Sequence, residues 1–205
     1  MANELQRIGP HRLLAGDIHT SVVEAAMAGD LADVIYTDPP WGPGLLQMFA
    51  TMHVPGSAPI CDWHSFLATL CGACATYRAP MAPVFVEMGL RWVDELDESM
   101  AVVGLPRQRR WAVTYGSKRS PLPSTLNLYG PRDVNVQLPA PPHGEPVTRA
   151  ALTAVVRPGA IVLDPCTGLG MTARFAHRLG GHFRGTELNP ERLERTAAWL
   201  RAKFH

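Results

Sequence analysis

Two short stretches of the chain carry residue types that could do chemistry together. The first is Asp38-Pro39-Pro40-Trp41, which ends the β-branched and aromatic run Ala32-Asp33-Val34-Ile35-Tyr36-Thr37. An exocyclic amine on a nucleobase is a poor nucleophile because its lone pair is delocalised into the ring. A carboxylate from Asp38 and a backbone carbonyl from Pro39 can both accept its N–H hydrogens, which favours a pyramidal nitrogen with its lone pair aimed at a methyl donor. A proline ring fixes φ and so aims the preceding carbonyl. Trp41 offers a face for a base taken out of its helix, a contact worth roughly 1–3 kcal/mol per base. A plain strand-ending turn before a core tryptophan is the competing reading, and the second stretch weighs against it.

That second stretch is Asp164-Pro165-Cys166-Thr167-Gly168-Leu169-Gly170, directly after the apolar run Ala160-Ile161-Val162-Leu163, with Glu187 at the end of the next strand. Glycines let the backbone approach a ligand, and an acidic residue at the second strand can accept ribose hydroxyls. No Gly-Lys-Ser/Thr follows, and Asp164 would repel a pyrophosphate. A cationic, phosphate-free cofactor is the compatible ligand, and S-adenosylmethionine is one. A tight turn without a ligand is the alternative.

Strands and helices must alternate to position these stretches. Residues 12–17 read as a strand ending in Asp17, and residues 20–29 as a helix with Thr20 or Ser21 as N-cap and Gly29 at its end. Two prolines cannot continue a central strand, so the chain leaves the sheet at Asp38. Residues 42–60, rich in Gly, Pro and Met, read as a mobile loop. Asp62 starts a helix to about Arg78, with Trp63, Phe66, Leu67, Leu70, Cys71, Cys74 and Tyr77 at helical spacing. Residues 83–87 and 111–115 read as strands, and 91–103 as a helix. The proline-rich stretch 116–144 reads as a loop insertion rather than a domain. Residues 147–156 read as a helix and 160–163 as a strand. A helix over 171–179 is stopped by Gly180-Gly181, and a strand over 182–186 follows. Asn189 caps a last helix with Pro190 at its first position. The order predicts one α/β domain over residues 1–205 with a mostly parallel sheet. Parallel strands end on one side, so Asp38 and the Asp164 loop should face one cavity.

Apolar residues make up 46% of the 205-residue chain and charged residues 18%, an ordinary globular composition. The net charge of +1 hides an uneven distribution. Residues 1–98 hold four basic and twelve acidic side chains, 99–132 six and none, and 133–205 nine and six. Arg107, Arg109, Arg110, Lys118, Arg119 and Arg132 make up the middle segment, with Trp111, Tyr115 and Tyr129 interleaved. Such a segment reads either as a polyanion-binding surface or as a solvated loop in an arginine-rich chain. No apolar run reaches the roughly 18 residues of a membrane span. The first residues lack an apolar secretory core, so a cytoplasmic location is expected. Cys61, Cys71, Cys74 and Cys166 are too few for a disulfide framework. The Cys71/Cys74 pair has no second ligand pair, so buried reduced thiols are expected and no metal site.

The two motifs in this order resemble the amino-methyltransferases that methylate adenine N6 or cytosine N4 in DNA, specifically their permuted β-class, in which the Asp-Pro-Pro-aromatic motif precedes the cofactor motif. Gly16-Asp17 before a helix and strand, Glu145-Pro146-Val147-Thr148 at a helix start, and Glu187-Leu188-Asn189 are similar to further family patterns. The likeness frames residues 12–200. It implies a Rossmann-like S-adenosylmethionine-dependent fold with circularly permuted motif order, residues 12–115 forming a catalytic half and 145–205 a cofactor half. By this resemblance Asp38, Pro39, Pro40 and Trp41 would be the catalytic and base-stacking residues. Asp164, Pro165, Cys166, Thr167, Gly168, Gly170 and Glu187 would contact S-adenosylmethionine, with Asp17 and Asn189 as further candidates. Asp at the first motif position favours adenine N6 over cytosine N4. The permuted Asp-Pro-Pro-Trp form also resembles the messenger-RNA adenosine methyltransferases, so RNA is the alternative substrate. A silent nucleic-acid-binding subunit is a different class, against which an intact Asp38 and an intact glycine loop both argue.

Two features depart from the family. Cys166 stands where many relatives carry Phe, a smaller group against the methionine part of the cofactor. Only residues 116–144 are free to recognise a target, next to the basic segment. Phosphate contacts position a duplex but carry little sequence information. Short or relaxed specificity is therefore expected, or a partner chain (a second copy included) that supplies it.

Overall fold

Strands that are apolar along their whole length need cover on both faces of their sheet. The computed structural model describes residues 4–52, 62–117 and 120–204. In chain order the elements are β1 (Gln6–Ile8), β2 (His11–Ala15), α1 (Val22–Met27), β3 (Val34–Thr37), α2 (Pro43–Met52), α3 (Trp63–Tyr77) and β4 (Val84–Gly89). A 3-10 turn, Leu90–Trp92, leads into α4 (Val93–Val102), β5 (Arg107–Ser117), β6 (Ser120–Tyr129) and α5 (Glu145–Val155). The chain continues through β7 (Ile161–Asp164), α6 (Met171–Arg178), β8 (His182–Glu187) and α7 (Pro190–Arg201).

The strands form one sheet in the order β1-β2-β8-β7-β3-β4-β6-β5. The central pairings β2–β8, β8–β7, β7–β3 and β3–β4 are parallel, and antiparallel β1 and the β5–β6 hairpin extend the two edges. Alternation along each strand sends successive side chains to opposite faces. Ile35, Val84, Val86 and Met88 therefore pack with α1, α3 and α4. Val34, Tyr36, Phe85 and Val162 pack with α5, α6 and α7. Fully burying a side chain such as Phe66 or Leu67 contributes roughly 1.5–3 kcal/mol, so both helical layers are needed to hold the central strands.

Capping fixes the helices where sequence reasoning puts them. Asp62 Oδ1 accepts the backbone N–H groups of His64 (2.9 Å) and Ser65 (3.0 Å), starting α3 at a typical contribution of about 1 kcal/mol. Asn189 does the same for α7, with Pro190 in the first turn. Cys71 and Cys74 are buried free thiols on α3, and burial pushes the Cys71 thiol up to about 12. Cys61 lies outside the described residues.

Three expectations need correction. Residues 43–52 of the expected loop form α2, while residues 53–60 lie outside the described residues. Helix α1 is shorter than residues 20–29: Ser21 stands at its start without a side-chain cap, and Ala28 ends it in the left-handed conformation (φ 48°). The stretch 116–144 is not all loop, because residues 120–129 form β6, paired with both β4 and β5. Its prolines mask the strand in the sequence, but Pro121 and Pro123 pair only with β5, beyond Ser124, where β4 ends. There a missing N–H faces no second strand. Strand β1, only three residues long, is too short to leave a pattern in the sequence. Among the described residues no helix is long and apolar enough to cross a membrane.

Candidate active site

Because β2, β8, β7, β3 and β4 run the same way, they deliver their C-terminal residues to one end of the sheet. Between β7 and β3 the chain turns to opposite faces, α6 covering one and α3 the other. A crevice opens at such a switch point. It holds a cavity of about 510 Å³ lined by Asp17, residues 38–41, residues 164–169 and Glu187, a size suited to a small molecule. The two motifs, 126 positions apart, thus share one wall.

Asp38 leaves the sheet directly after β3. Its Oδ1 accepts the Trp41 indole N–H at 2.9 Å. The Trp41 ring meets Tyr115 of β5 edge-on, with centroids 5.9 Å apart. A Cβ at Gly89 would lie 3.2 Å from Trp41, so the small residue at the end of β4 makes room for the indole. Burial pushes the Asp38 carboxyl well above the usual carboxylate range, the charges of Glu87 and Asp164 push the same way, and the indole N–H opposes them.

Glu87 is a residue that sequence reasoning missed. It lies inside β4, buried (1% exposed), and strand-interior carboxylates carry no motif. The parallel register pairs Tyr36 with Phe85 and Thr37 with Val86, so its continuation sets Asp38 beside Glu87. Glu87 Oε1 accepts the Tyr36 hydroxyl and, at 3.2 Å, the Thr148 hydroxyl from α5. Burial raises its pKa while these two donors hold it down. Hydroxyl donors favour the charged form, so of the two carboxylates Glu87 is the readier to ionise.

The second motif is a tight turn. Asp164 Oδ1 accepts the Cys166 N–H at 3.0 Å, and the Thr167 hydroxyl donates to the Asp164 carbonyl at 3.1 Å. Burial pushes the Asp164 carboxyl up to about 6, against the hydrogen bonds from Thr172 and the Cys166 N–H, and the Glu187 charge adds to the rise. Burial likewise raises the Cys166 thiol. Glu187 ties three segments together: Oε2 accepts the Gly168 N–H at 2.7 Å, Oε1 the Asn189 N–H at 3.0 Å, and its carbonyl the Gly16 N–H at 2.9 Å. An ionised carboxylate offers about four acceptor sites, so capacity for ligand hydroxyls remains. Asp17 accepts the His19 N–H at 2.9 Å, which holds the β2–α1 turn at the cavity wall.

Two further candidates stand off the wall. Asn189 is buried and its side chain caps α7, accepting from Glu191 (2.8 Å) and Arg192 (3.2 Å). Gly170 lies against α7, where a Cβ would come within 2.4 Å of the Thr196 hydroxyl and φ is +77°. Gly170 therefore lets the helix pack, while Pro165, Cys166, Thr167 and Gly168 line the cavity.

The basic segment looks different in space. Arg107 pairs with Asp97 at 3.4 Å, Arg109 with Asp133, and Arg110 with Asp97 at 2.7 Å and Asp94 at 3.7 Å. Tyr129 is buried and donates to Asp97 at 2.7 Å. The acidic helix α4 thus neutralises much of a stretch that is purely basic in sequence. Arg132 is exposed, and Lys118 and Arg119 lie outside the described residues. The cavity wall also includes residues not singled out as site candidates: Tyr115 and Leu122 from the β5–β6 hairpin, Phe49 from α2, Arg174 and Arg192, together with Glu145 from the helix-start pattern.

No family model matches the chain, and no curated protein matches it. Solved structures do. M1.HpyAVI in complex with S-adenosylmethionine aligns with a TM-score of 0.67 at 14% identity, over 92% of this chain and 98% of that one. TTHA0409 from Thermus thermophilus, a proposed DNA modification methylase complexed with S-adenosyl-L-methionine, aligns with a TM-score of 0.64 at 15% identity over 94% of each chain. The PvuII DNA methyltransferase, cytosine-N4-specific, aligns with a TM-score of 0.65 at 12% identity, over 93% and 86%. The chain has the α/β fold of S-adenosylmethionine-dependent methyltransferases.

Proposed function

We propose that the chain transfers a methyl group from S-adenosylmethionine to the exocyclic N6 amine of adenine in DNA. The observation that carries this reading is that Asp38 and the Asp164–Glu187 turn line one cavity. The site also fits a sulfonium. Asp38, Asp164 and Glu187 bring carboxylates to the wall with no salt bridge among the described residues, and a cation among buried carboxylates lowers their proton affinity. When bound, the cofactor supplies an electrophilic methyl carbon on a positively charged sulfur.

The chain's residues would do the rest. Without a ligand, burial and then the Glu87 charge favour the protonated form of Asp38. Beside a bound sulfonium Asp38 would ionise more readily and so serve as an acceptor. Asp38 and the Pro39 carbonyl then accept the two N–H hydrogens of the target amine. So held, the amine nitrogen would direct its lone pair at the donated methyl carbon, and Asp38 would take up the surplus proton that the methylated amine must lose. Trp41 would offer the face against which the base packs. Asp17 and Glu187 would hold the nucleoside end of the cofactor, with Pro165, Cys166, Thr167 and Gly168 forming its floor. Duplex phosphates would meet Arg107, Arg109 and Arg110, as far as their carboxylate partners release them, together with the exposed Arg132, and Lys118 and Arg119 are further candidates.

Cytosine N4 is the second reading, favoured by the likeness to the cytosine-N4-specific PvuII enzyme. Incubation with methyl-labelled cofactor and mixed DNA and RNA, followed by nucleoside mass spectrometry, tests the reading. Label on N6-methyladenine from DNA is expected. Label only in RNA or on cytosine would replace it. Asp38→Ala should abolish transfer while leaving cofactor affinity within about threefold, and retained transfer would refute the role of Asp38.

A further inference from the structure

Two charged side chains line the cavity with no salt-bridge or side-chain hydrogen-bond partner among the described residues. Glu145 is the first residue of α5 and Arg174 lies one turn into α6. By contrast, Arg107, Arg109 and Arg110 are all paired with carboxylates. The other arginine of the wall, Arg192, lies over the Phe49 ring at 4.8 Å. A half-buried guanidinium loses hydration, and that loss is offset only when an anion meets it.

The position of the pair in the cavity is also informative. Both act on Tyr115, with opposite sign: the Glu145 charge raises the phenol and the Arg174 charge lowers it. Tyr115 in turn meets Trp41. Gly144, just before Glu145, donates its N–H to the carbonyl of Thr114 at 2.9 Å, and α5 packs on α6, so Glu145 and Arg174 belong to the Tyr115 end of the cavity, whereas Asp17 and Glu187 belong to the end formed by β2 and β8. A ligand whose ribose sits at Glu187 and whose reacting carbon sits at Asp38 extends its remaining group toward Tyr115. In S-adenosylmethionine that group is an α-amino acid, one carboxylate and one ammonium on the same carbon.

Building on the cofactor proposed above, we propose that Arg174 and Glu145 form the amino-acid end of its site, Arg174 taking the α-carboxylate and Glu145 the α-ammonium. Separate side chains of opposite sign that do not pair with each other match a zwitterion, and a guanidinium presents the forked donors that a carboxylate accepts. Neither residue belongs to the two motifs, and each supplies binding energy and placement of the sulfur rather than chemistry at the methyl group.

The test is calorimetric titration of the whole chain with three probes: S-adenosylmethionine, S-adenosylhomocysteine and methylthioadenosine, which keeps the nucleoside and lacks the amino-acid group. Arg174→Gln should weaken the first two by about tenfold or more, as loss of a charge-assisted hydrogen bond does, and leave methylthioadenosine unchanged. Arg174→Lys should recover part of the loss. Glu145→Gln should show the same selectivity for the two amino-acid ligands. Equal weakening of all three probes, or no weakening of the first two, overturns the assignment for the residue concerned. An Arg174→Gln protein with normal cofactor affinity and weaker DNA binding overturns it in favour of a phosphate contact. A wild-type chain that binds none of the probes refutes the cofactor itself, an outcome distinct from the others.

Discussion

Trp41 donates its indole N–H to Asp38 Oδ1 at 2.9 Å, so the aromatic residue of the first motif is also a hydrogen-bond donor to its acid. The donor favours the ionised carboxylate, against the burial and neighbouring charges that favour the proton. Trp41→Phe keeps an aromatic face and removes the donor. The carboxyl of Asp38 should then hold its proton to higher pH, and the acid limb of the kcat profile should move up. At neutral pH turnover should fall roughly tenfold, the usual worth of a hydrogen bond to a charged group. An unmoved acid limb would show that the contact only positions the ring.

Glu87 should act in the opposite direction. Glu87→Gln removes a buried negative charge beside Asp38 while leaving a side-chain oxygen to accept the Tyr36 and Thr148 hydroxyls. The like charge raises Asp38, so its loss should move the acid limb to lower pH. Stability should change by no more than about 1–2 kcal/mol, since both hydroxyls keep an acceptor. A uniform loss of rate at every pH would instead mark Glu87 as a packing residue.

The contrast between these two residues shows what is legible in the sequence. Asp38 is readable because Pro39 and Pro40 announce the strand end, and Asp164 because glycines follow it. Glu87 is unreadable because its importance arises from the β3–β4 register, which joins residues about fifty positions apart. The same physics undoes part of the charge argument. Counting by segment separates Asp94 and Asp97 from Arg107 and Arg110, and the α4–β5 turn brings them back together. Asn189 carries a true local signal, its capping of α7, beside the binding role suggested for it by likeness.

Exposure should sort the arginines of β5 by role. Arg109 and its partner Asp133 are both more than 40% exposed, and such pairs are worth about 0–1 kcal/mol, so a phosphate can replace the carboxylate. Arg110 is 25% exposed and also donates to Asn127 at 2.8 Å, which holds β5 to α4 and β6. Arg109→Gln should therefore lower the slope of log DNA affinity against log salt by about one, with little change in stability. Arg110→Gln should leave the slope intact and lower the melting temperature. The reverse pattern would assign the phosphate contact to Arg110.

Acid stability should depend on His11, which lies far from the cavity against α6. The ring is fully buried. Its Nδ1 accepts the Phe183 N–H at 3.0 Å, so the proton sits on Nε2 and points to His177 Nδ1, 3.1 Å away. Burial, then the charges of His177, His182 and Arg184, lowers its pKa to about 4, against an ordinary value of about 6.5. Below 6.5 the unfolded chain takes up a proton that the folded one refuses. The neutral ring's contribution is thus complete above 6.5 and lost as pH falls toward 4, at most about 3 kcal/mol. Asp164 works the other way over part of this range, because its folded pKa is raised to about 6 and protonation on acidification relieves a buried charge. The comparison that isolates His11 is denaturant unfolding of the wild type and His11→Asn at pH 7.5, 5.5 and 4.5. Asn can still accept the Phe183 N–H but does not titrate. The wild type should lose stability faster than the variant across this window, and parallel losses would show that His11 titrates alike in the folded and unfolded chain.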